Sequence, residues 1–336
     1  MGPLLYILFT NDLPEILHDH PLTACQQNPE NDAHTNSSYY NIQCDSCGGI
    51  CCFADDSTYT KSAADPIEIQ NAIELKYNEI SKYMSLNKLV LNSDKTHLLT
   101  LSTKHKHKLY KDFDITLNTG SEMINPIDNE KLLGGYISND FTWNAHIRDG
   151  EKSLFKILTS RVNALSKISK ISSFKHRKMI ANGIVMSHIL HLIQLWGGCS
   201  GYLLDILQIL QNRAARLVTG LSWFTSRTKL LQQCGWLSVR QMVIFYDLIL
   251  VYKIRRDKKP VYLYDKLSRK NTYNTRQMTQ TSIKPPDILN TKIAKTSFIN
   301  RAITEWNNLP NELRLANSLS SFKIQTKLWV KENIPI

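Results

Sequence analysis

Residues 1–60 contain neither Lys nor Arg, against eight Asp or Glu. That absence denies the opening segment any cationic clamp for phosphate. All 41 basic residues come later, with 21 acidic ones, so residues 61–336 carry +20 and the whole chain +12. A body this basic favours nucleic acid through phosphate contacts and counterion release; the bland reading is a solvated basic surface. Long apolar runs are also missing. None reaches the ~18 residues of a membrane-spanning helix; the longest are broken by His188, His191 and Gln194, or by Gln241 and Asp247. Residues 4–9 are apolar, but the run is short, has no basic stretch before it and leads straight into Asn11-Asp12. It does not read as a signal peptide. The expectation is an intracellular chain, cytoplasmic or nuclear, not secreted and with no membrane partner.

Cysteine is sparse and odd in number, at seven, which argues against a disulfide scaffold. Cys44 and Cys47 have a zinc-knuckle spacing, and Cys25 or His34 could add a ligand. A second pair at that spacing is lacking, and adjacent Cys51 and Cys52 point to opposite faces of a strand. No zinc is expected. No internal repeat is present. The apolar share of 42% is that of a globular chain, and 336 residues allow one large or two ordinary domains.

Residues 15–47, rich in His, Asn, Asp, Ser and Pro, read as a loop. Asp65-Pro66-Ile67-Glu68 reads as a helix start, with a capping Asp, Pro in first position and a capping-box-like Glu. Ile69, Ile73, Tyr77, Ile80 and Met84 then share one helical face. Residues 97–102, 112–118 and 131–138 are candidate strands, and Gly134-Gly135 allows close backbone approach. From about residue 142 the pattern turns helical, over 143–165, 175–192, 203–219 and 239–255, with Gly220 as a helix stop. Residues 257–292 read as a linker before helices over 294–307 and 320–331. The expected class is α+β.

The chemistry concentrates in Phe53-Ala54-Asp55-Asp56. It lies between Gly48-Gly49-Ile50-Cys51-Cys52 and Ser57-Thr58-Tyr59-Thr60, which describes a hairpin with carboxylates at its turn. Two fixed carboxylates suit hard cations such as Mg²⁺, and polymerases use two such ions in phosphoryl transfer. In isolation the motif reads first as a polar turn, since Asp is common in hairpins. Lys104-His105-Lys106-His107-Lys108 offers phosphate contacts or a solvated tip. Gln211, Arg213 and Arg216, with Arg227 and Lys229, form either a basic face against a duplex or the wet side of an amphipathic helix. Trp196, Trp223 and Trp236 read as core rather than as stacking platforms.

The order of the blocks is more specific than any one of them. Gly2-Pro3-Leu4-Leu5, then Phe53-Ala54-Asp55-Asp56, then Asn92-Ser93-Asp94-Lys95-Thr96, then Leu133-Gly134-Gly135-Tyr136-Ile137 resembles the reverse transcriptase of non-LTR (LINE-like, jockey-type) retrotransposons. The stretch from Ile189 to Gly220 resembles its helical thumb, and Arg301-Ala302-Ile303-Thr304-Glu305-Trp306 resembles its end. The resemblance implies a partial polymerase palm over residues 1–141, an antiparallel sheet with packed helices and a loop insertion at 15–47. A helical thumb-like region over 142–256 follows, then a linker and C-terminal helices over 257–336. It implies Mg²⁺ at Asp55, the main ligand, and at Asp56, its support. Lys95 would assist the leaving pyrophosphate, and Gly2 and Pro3 would meet the template and incoming nucleotide. Gly134 and Gly135 would lie in the primer grip, and Arg213 and Arg216 on the thumb. The partners implied are an RNA template, a DNA primer and a dNTP. Two departures stand out. The family's first metal-binding Asp strand and its fingers, which precede the GPLL block, have no counterpart in these residues, and residues 15–50 separate GPLL from FADD by more than the family needs. The expectation is a truncated chain, ancestrally an RNA-directed DNA polymerase and inactive as it stands. The alternative is a non-catalytic nucleic-acid-binding remnant, or a protein with no present role.

Overall fold

The computed structural model describes residues 41–44, 48–53, 56–103, 115–120, 122–268, 281–285 and 291–336. The chain divides into two compact units, Met1–Glu130 and Lys131–Ile336. Small antiparallel sheets and many helices make it α+β.

In the first unit β1 (Asn41–Cys44), β2 (Gly48–Phe53) and β3 (Asp56–Thr60) form an antiparallel sheet in that order. The β2–β3 register pairs Cys52 with Ser57 and Phe53 with Asp56, and residues 54–55 lie outside the described residues. β1 corrects the loop expected over 15–47 at its end. Asn41-Ile42-Gln43-Cys44 alternates polar and apolar, and it takes up the backbone groups on the free edge of β2.

Helix α1 (Pro66–Leu86) starts as its sequence dictates: the Asp65 carboxylate accepts the Ile67 N–H at 2.9 Å and Pro66 takes the first position. Glu68 turns to Lys61, at 3.4 Å. Tyr83 and Met84 are buried and gather Ile80, Leu89 and Leu91 around them. Gln70 fastens the helix to the next strand like a rung of sheet. Its Oε1 accepts the Thr116 N–H at 2.9 Å and its Nε2 donates to the Thr116 carbonyl at 2.6 Å. β4 (Leu117–Asn118) and β5 (Met123–Ile124) pair beyond it. Residues 97–102 do not form the expected strand. Leu98 makes one bridge to Pro126 and accepts the Ile127 N–H at 2.9 Å, and no ladder extends from it among the described residues.

β6 (Asn129–Leu132) carries the junction between the units and pairs with β7 (Gly135–Ser138). The expected single strand over 131–138 is thus a hairpin. Leu133 and Gly134 both take left-handed φ, 48° and 88°, the sign pattern of a type I′ turn. A π-helical turn follows at Ala145–Asp149.

The rest of the second unit is helical. In order come α2 (Leu154–Ser169), α3 (Phe174–Ala181), a π-turn at Asn182–Met186, α4 (Ser187–Leu190), α5 (Ile193–Trp196), α6 (Gly201–Thr219), α7 (Arg227–Cys234) and α8 (Val239–Asp257). After these come α9 (Val261–Ser268), α10 (Lys292–Thr296), α11 (Phe298–Asn308), α12 (Asn311–Arg314) and α13 (Leu319–Asn333). Gly220, at φ 71°, ends α6 in a left-handed cap. α6 packs on α2, α3 and α7, while α8 lies against α11 and α13. One core results, containing Leu158, Leu207, Trp196, Trp306 and Phe322, all essentially inaccessible.

Polar side chains set the register within that core. Gln208 accepts the Val239 N–H at 2.8 Å, and Gln211 donates to the Leu237 carbonyl at 2.8 Å. Ser238 and Gln241 close a capping box at the start of α8. Arg301 on α11 grips the buried Asp247 of α8 through Nε at 2.6 Å and Nη2 at 3.3 Å. It also donates to the carbonyls of Thr296 at 3.0 Å and Gln194 at 2.8 Å. Burial pushes the Asp247 carboxyl up to about 6, against the pull of Arg301.

The β6–β7 turn falls in the second unit, where its glycines lie close to His191 and Leu192. Parts of the stretch expected as a linker are packed. Leu267 of α9 and Ile283 are fully buried, and the Asn307 amide bonds both backbone groups of Ile283 at 2.9 Å. Among the described residues, no single helix is long and apolar enough to cross a membrane.

Candidate functional site

Two places carry the chemistry that the sequence suggests, one in each unit. In the first unit, alternation along β3 puts Asp56, Thr58 and Thr60 on one face, cross-strand from Phe53, Cys51 and Gly49. Asp56 is exposed, and Phe53 beside it is 52% exposed. Asp55, Gly2 and Pro3 lie outside the described residues, as do Cys47 and residues 104–108. Lys95 ends the 3₁₀ turn Ser93–Lys95 with its side chain exposed. The Thr96 hydroxyl bonds back to the Asn92 carbonyl at 2.9 Å and holds that turn. Nearby His97 meets Glu130 at 2.8 Å. Adjacent Asp55 and Asp56 supply the hard oxygen donors that Mg²⁺ prefers. Among the described residues, however, no group of three or more His, Cys, Asp or Glu converges on a metal position. Asp56, the described member of the pair, offers one exposed carboxylate.

In the second unit, Gly134 and Gly135 do sit where backbone approaches closely, and the neighbour is the chain itself. A Cβ on Gly134 would stand 2.9 Å from His191 Nε2, and one on Gly135 2.7 Å from Leu192 Cδ1. His191 and Leu192 form the bend between α4 and α5, with Leu192 at φ 55°. Beneath the turn lies His146, whose Nδ1 accepts the Tyr136 N–H at 3.4 Å and whose ring meets the edge of Trp143. Burial, with the charge of His191 beside it, holds the His146 imidazole down at about 4. It therefore stands neutral, and its buried Nε2 has no hydrogen-bond partner among the described residues.

The helical face is basic over a long stretch. Residues 152–246 contain 13 Lys or Arg and a single acid, Asp205, which is paired with Arg240 at 3.1 Å. Arg213 reaches across to α2, where its Nη2 donates to Asn163 Oδ1 at 2.9 Å. Asn163 lines a shallow cleft of about 730 Å³ along α2 with Phe155, Lys156, Thr159 and Lys167. One turn along α6, Arg216 stacks over the Trp223 ring at 4.5 Å. Arg177 caps two helix ends, donating to the carbonyls of Ser169 at 2.9 Å and Val218 at 3.0 Å. Arg227 is exposed and reaches the Ile336 carbonyl. Gln211 does not join this face, because it is fully buried and committed to Leu237.

Trp196 and Trp236 are core residues, with indole N–H groups donating to the His191 carbonyl at 2.8 Å and to Asn182 Oδ1 at 3.0 Å. Trp223 is not: it is 71% exposed, and Phe224 beside it 95%. Sequence reasoning missed this pair. The available signal was two large aromatics between a Gly helix stop and the Ser226 helix cap, where no core face exists for them.

The chain is 24% identical, over 234 residues, to a protein of Drosophila melanogaster named as a probable RNA-directed DNA polymerase from transposon X-element. The alignment covers 68% of this chain and 22% of that relative, so the chain spans less than a quarter of the relative's length. No protein-family model matches the chain, and no solved structure matches it.

Proposed function

We propose that the chain is a reverse-transcriptase-like retrotransposon protein of the non-LTR, jockey type. Its first unit is palm-derived, and the helices of its second unit are a thumb-like nucleic-acid-binding region with a C-terminal extension. The observation that carries this is the Phe53-Ala54-Asp55-Asp56 motif at the β2–β3 hairpin, in a chain similar to a transposon RNA-directed DNA polymerase. Asp55 and Asp56 are the residues to hold Mg²⁺. Two carboxylates on one hairpin supply one side of a two-ion site, so a carboxylate from a separate strand has to complete it. Exposed Lys95 would meet leaving phosphate, and Arg213 and Arg216, held against Asn163 and Trp223, would meet the backbone of an RNA template and DNA primer. The backbone of the Gly134-Gly135 turn would serve as primer grip, although the closest approach to those glycines is made by His191 and Leu192.

These 336 residues, taken on their own, bind nucleic acid without extending a primer. The test is primer extension on an RNA template with dNTPs and Mg²⁺ or Mn²⁺, with retention of the template–primer measured in the same mixtures. Expected are no extension and retention that falls steeply with salt, as phosphate contacts require. Extension abolished by Asp55→Ala would overturn the incomplete-site reading and show that another carboxylate completes the site. Retention unchanged from low to high salt, or equalled by a neutral polymer, would overturn the nucleic-acid reading.

A further inference from the structure

The loop between α6 and α7 holds its two largest side chains out of the core. Trp223 is 71% exposed and Phe224 95% exposed. The loop is nevertheless ordered by its own turn. The Ser222 carbonyl accepts the Thr225 N–H at 3.0 Å, and the Ser222 hydroxyl accepts the Phe224 N–H at 3.4 Å. Trp223 is held from one side only. The Arg216 guanidinium covers one face of its indole at 4.5 Å and also donates to its carbonyl at 3.4 Å. Apart from that contact, the indole and the Phe224 ring are largely open to solvent among the described residues.

From there a strip of contacts runs back along the unit to a cleft of mixed polar and apolar lining. Arg216 and Arg213 are neighbours on one face of α6, Arg213 is tied to Asn163 at 2.9 Å, and Asn163 opens into the cleft along α2. The strip lies within the stretch whose single acid, Asp205, is already paired with Arg240. We infer that this strip binds a single-stranded nucleic acid, with unpaired bases stacking on Trp223 and Phe224 while Arg213, Arg216 and the cleft lysines Lys156 and Lys167 follow the phosphate backbone.

The chemistry selects the occupant. A duplex hides its base faces, so it could use the arginines and not the rings. An open aromatic face beside a cation is a platform that any unpaired base can use. An anionic membrane would also take an aromatic pair flanked by basic residues, but a flat bilayer has no use for a cleft continuous with that pair. The choice of nucleic acid over other polyanions rests on the proposed function; the preference for single strands rests on the rings.

The experiment measures fluorescence anisotropy with a labelled single-stranded RNA of about 12 nucleotides, within the span of such sites, and with the same sequence annealed to its complement, using the full chain. Trp223→Ala and Phe224→Ala are compared with wild type and with Trp223→Phe. Each alanine variant should weaken single-strand binding about 5- to 150-fold, the range for loss of one base–aromatic stack, and change duplex binding by less than about twofold. Trp223→Phe should keep most of the affinity, and single-stranded RNA should quench tryptophan emission in the wild type more than in Trp223→Ala. Because both side chains are exposed, the thermal midpoint should not move. Equal losses for single strand and duplex, or single-strand binding indifferent to both alanine variants, overturn this inference and leave the proposed function standing. Absence of any nucleic-acid binding by the wild type overturns both. Trp223-dependent binding to phosphatidylserine vesicles without RNA binding, or Trp223-dependent self-association in sedimentation, overturns it in favour of another occupant.

Discussion

Replacing Arg301 by Met should be the most damaging single change in the helical unit. The guanidinium joins four chain segments, binding both oxygens of Asp247 on α8 and the carbonyls of Thr296 and Gln194 from its own place on α11. Asp247 is completely buried. Breaking a buried pair by removing one partner costs about 3–5 kcal/mol, and the two carbonyls lose a donor as well. Asp247 has one escape, which is to bind a proton. Its carboxyl already sits at about 6, raised by burial, while Arg301 pulls it down; without Arg301 it moves further up. A raised carboxyl holds in the folded state a proton that the unfolded chain releases. Its contribution to stability is therefore present in acid and is lost as pH rises through the folded value. Arg301→Met should then be most costly near pH 8 and clearly less so near pH 5. All six Trp lie between residues 143 and 329, so tryptophan emission during urea titration reports on the second unit alone. A cost below about 1 kcal/mol at pH 8, well under what breaking a buried pair requires, or an equal cost at the two pH values, would refute the reasoning.

Further outcomes follow from other contacts in the molecule. His146, held down at about 4 by burial and His191, contributes stability that is complete above about 6.5 and lost as pH falls towards 4, up to about 3 kcal/mol. In urea titrations between pH 7 and 4.5, His146→Phe should flatten that loss relative to wild type, and an unchanged slope would contradict it. Gly134→Ala should cost about 1–2 kcal/mol from the left-handed backbone alone, with more if the His191 ring cannot give way. A thermal midpoint within error of wild type would show that the turn refits. Asp56→Ala, on an exposed residue, should leave stability within about 0.5 kcal/mol of wild type; a larger loss by urea titration would mark Asp56 as a structural residue instead.

What was legible in the sequence was mostly local. Asp65-Pro66 announced α1 because the cap and the fixed φ act within one turn, and Gly220 announced the end of α6 for the same reason. The long amphipathic stretches from residue 142 onward gave the α-rich half because an apolar period of 3.6, sustained over many residues, suits a helix and no strand. The failures were of pairing and burial. Residues 97–102 have the composition of a strand but find one bridge among the described residues, to Pro126, and residues 41–44 look like loop yet pair with neighbouring β2, because a ladder depends on its partner as well as on its own composition. Leu133 at φ 48° hid a turn, since leucine rarely marks one. Gln211 and Trp223 were placed on the wrong sides of the surface: Gln211 went inward to meet a backbone carbonyl, and Trp223 went outward under an arginine. At the candidate metal site the sequence named a hairpin and the described strands form one, because the register of two short strands is set by the residues between them.

The two buried glutamines of α6 carry a consequence of their own. The link between α7 and α8 is buried, so its backbone groups are cut off from water and need partners. Gln208 and Gln211 supply them from a helix that the chain finished some twenty residues earlier, one accepting from Val239 and one donating to Leu237. Part of the sequence of α6 is thus written by a loop it does not adjoin. A replacement helix with the same apolar stripe, and leucines in place of both amides, would fill the space and leave that link with an unmatched donor and acceptor. α6 is a helix that cannot be exchanged on hydrophobic pattern alone, and substitutions at 208 and 211 should be readable only together with the backbone geometry at 237–239.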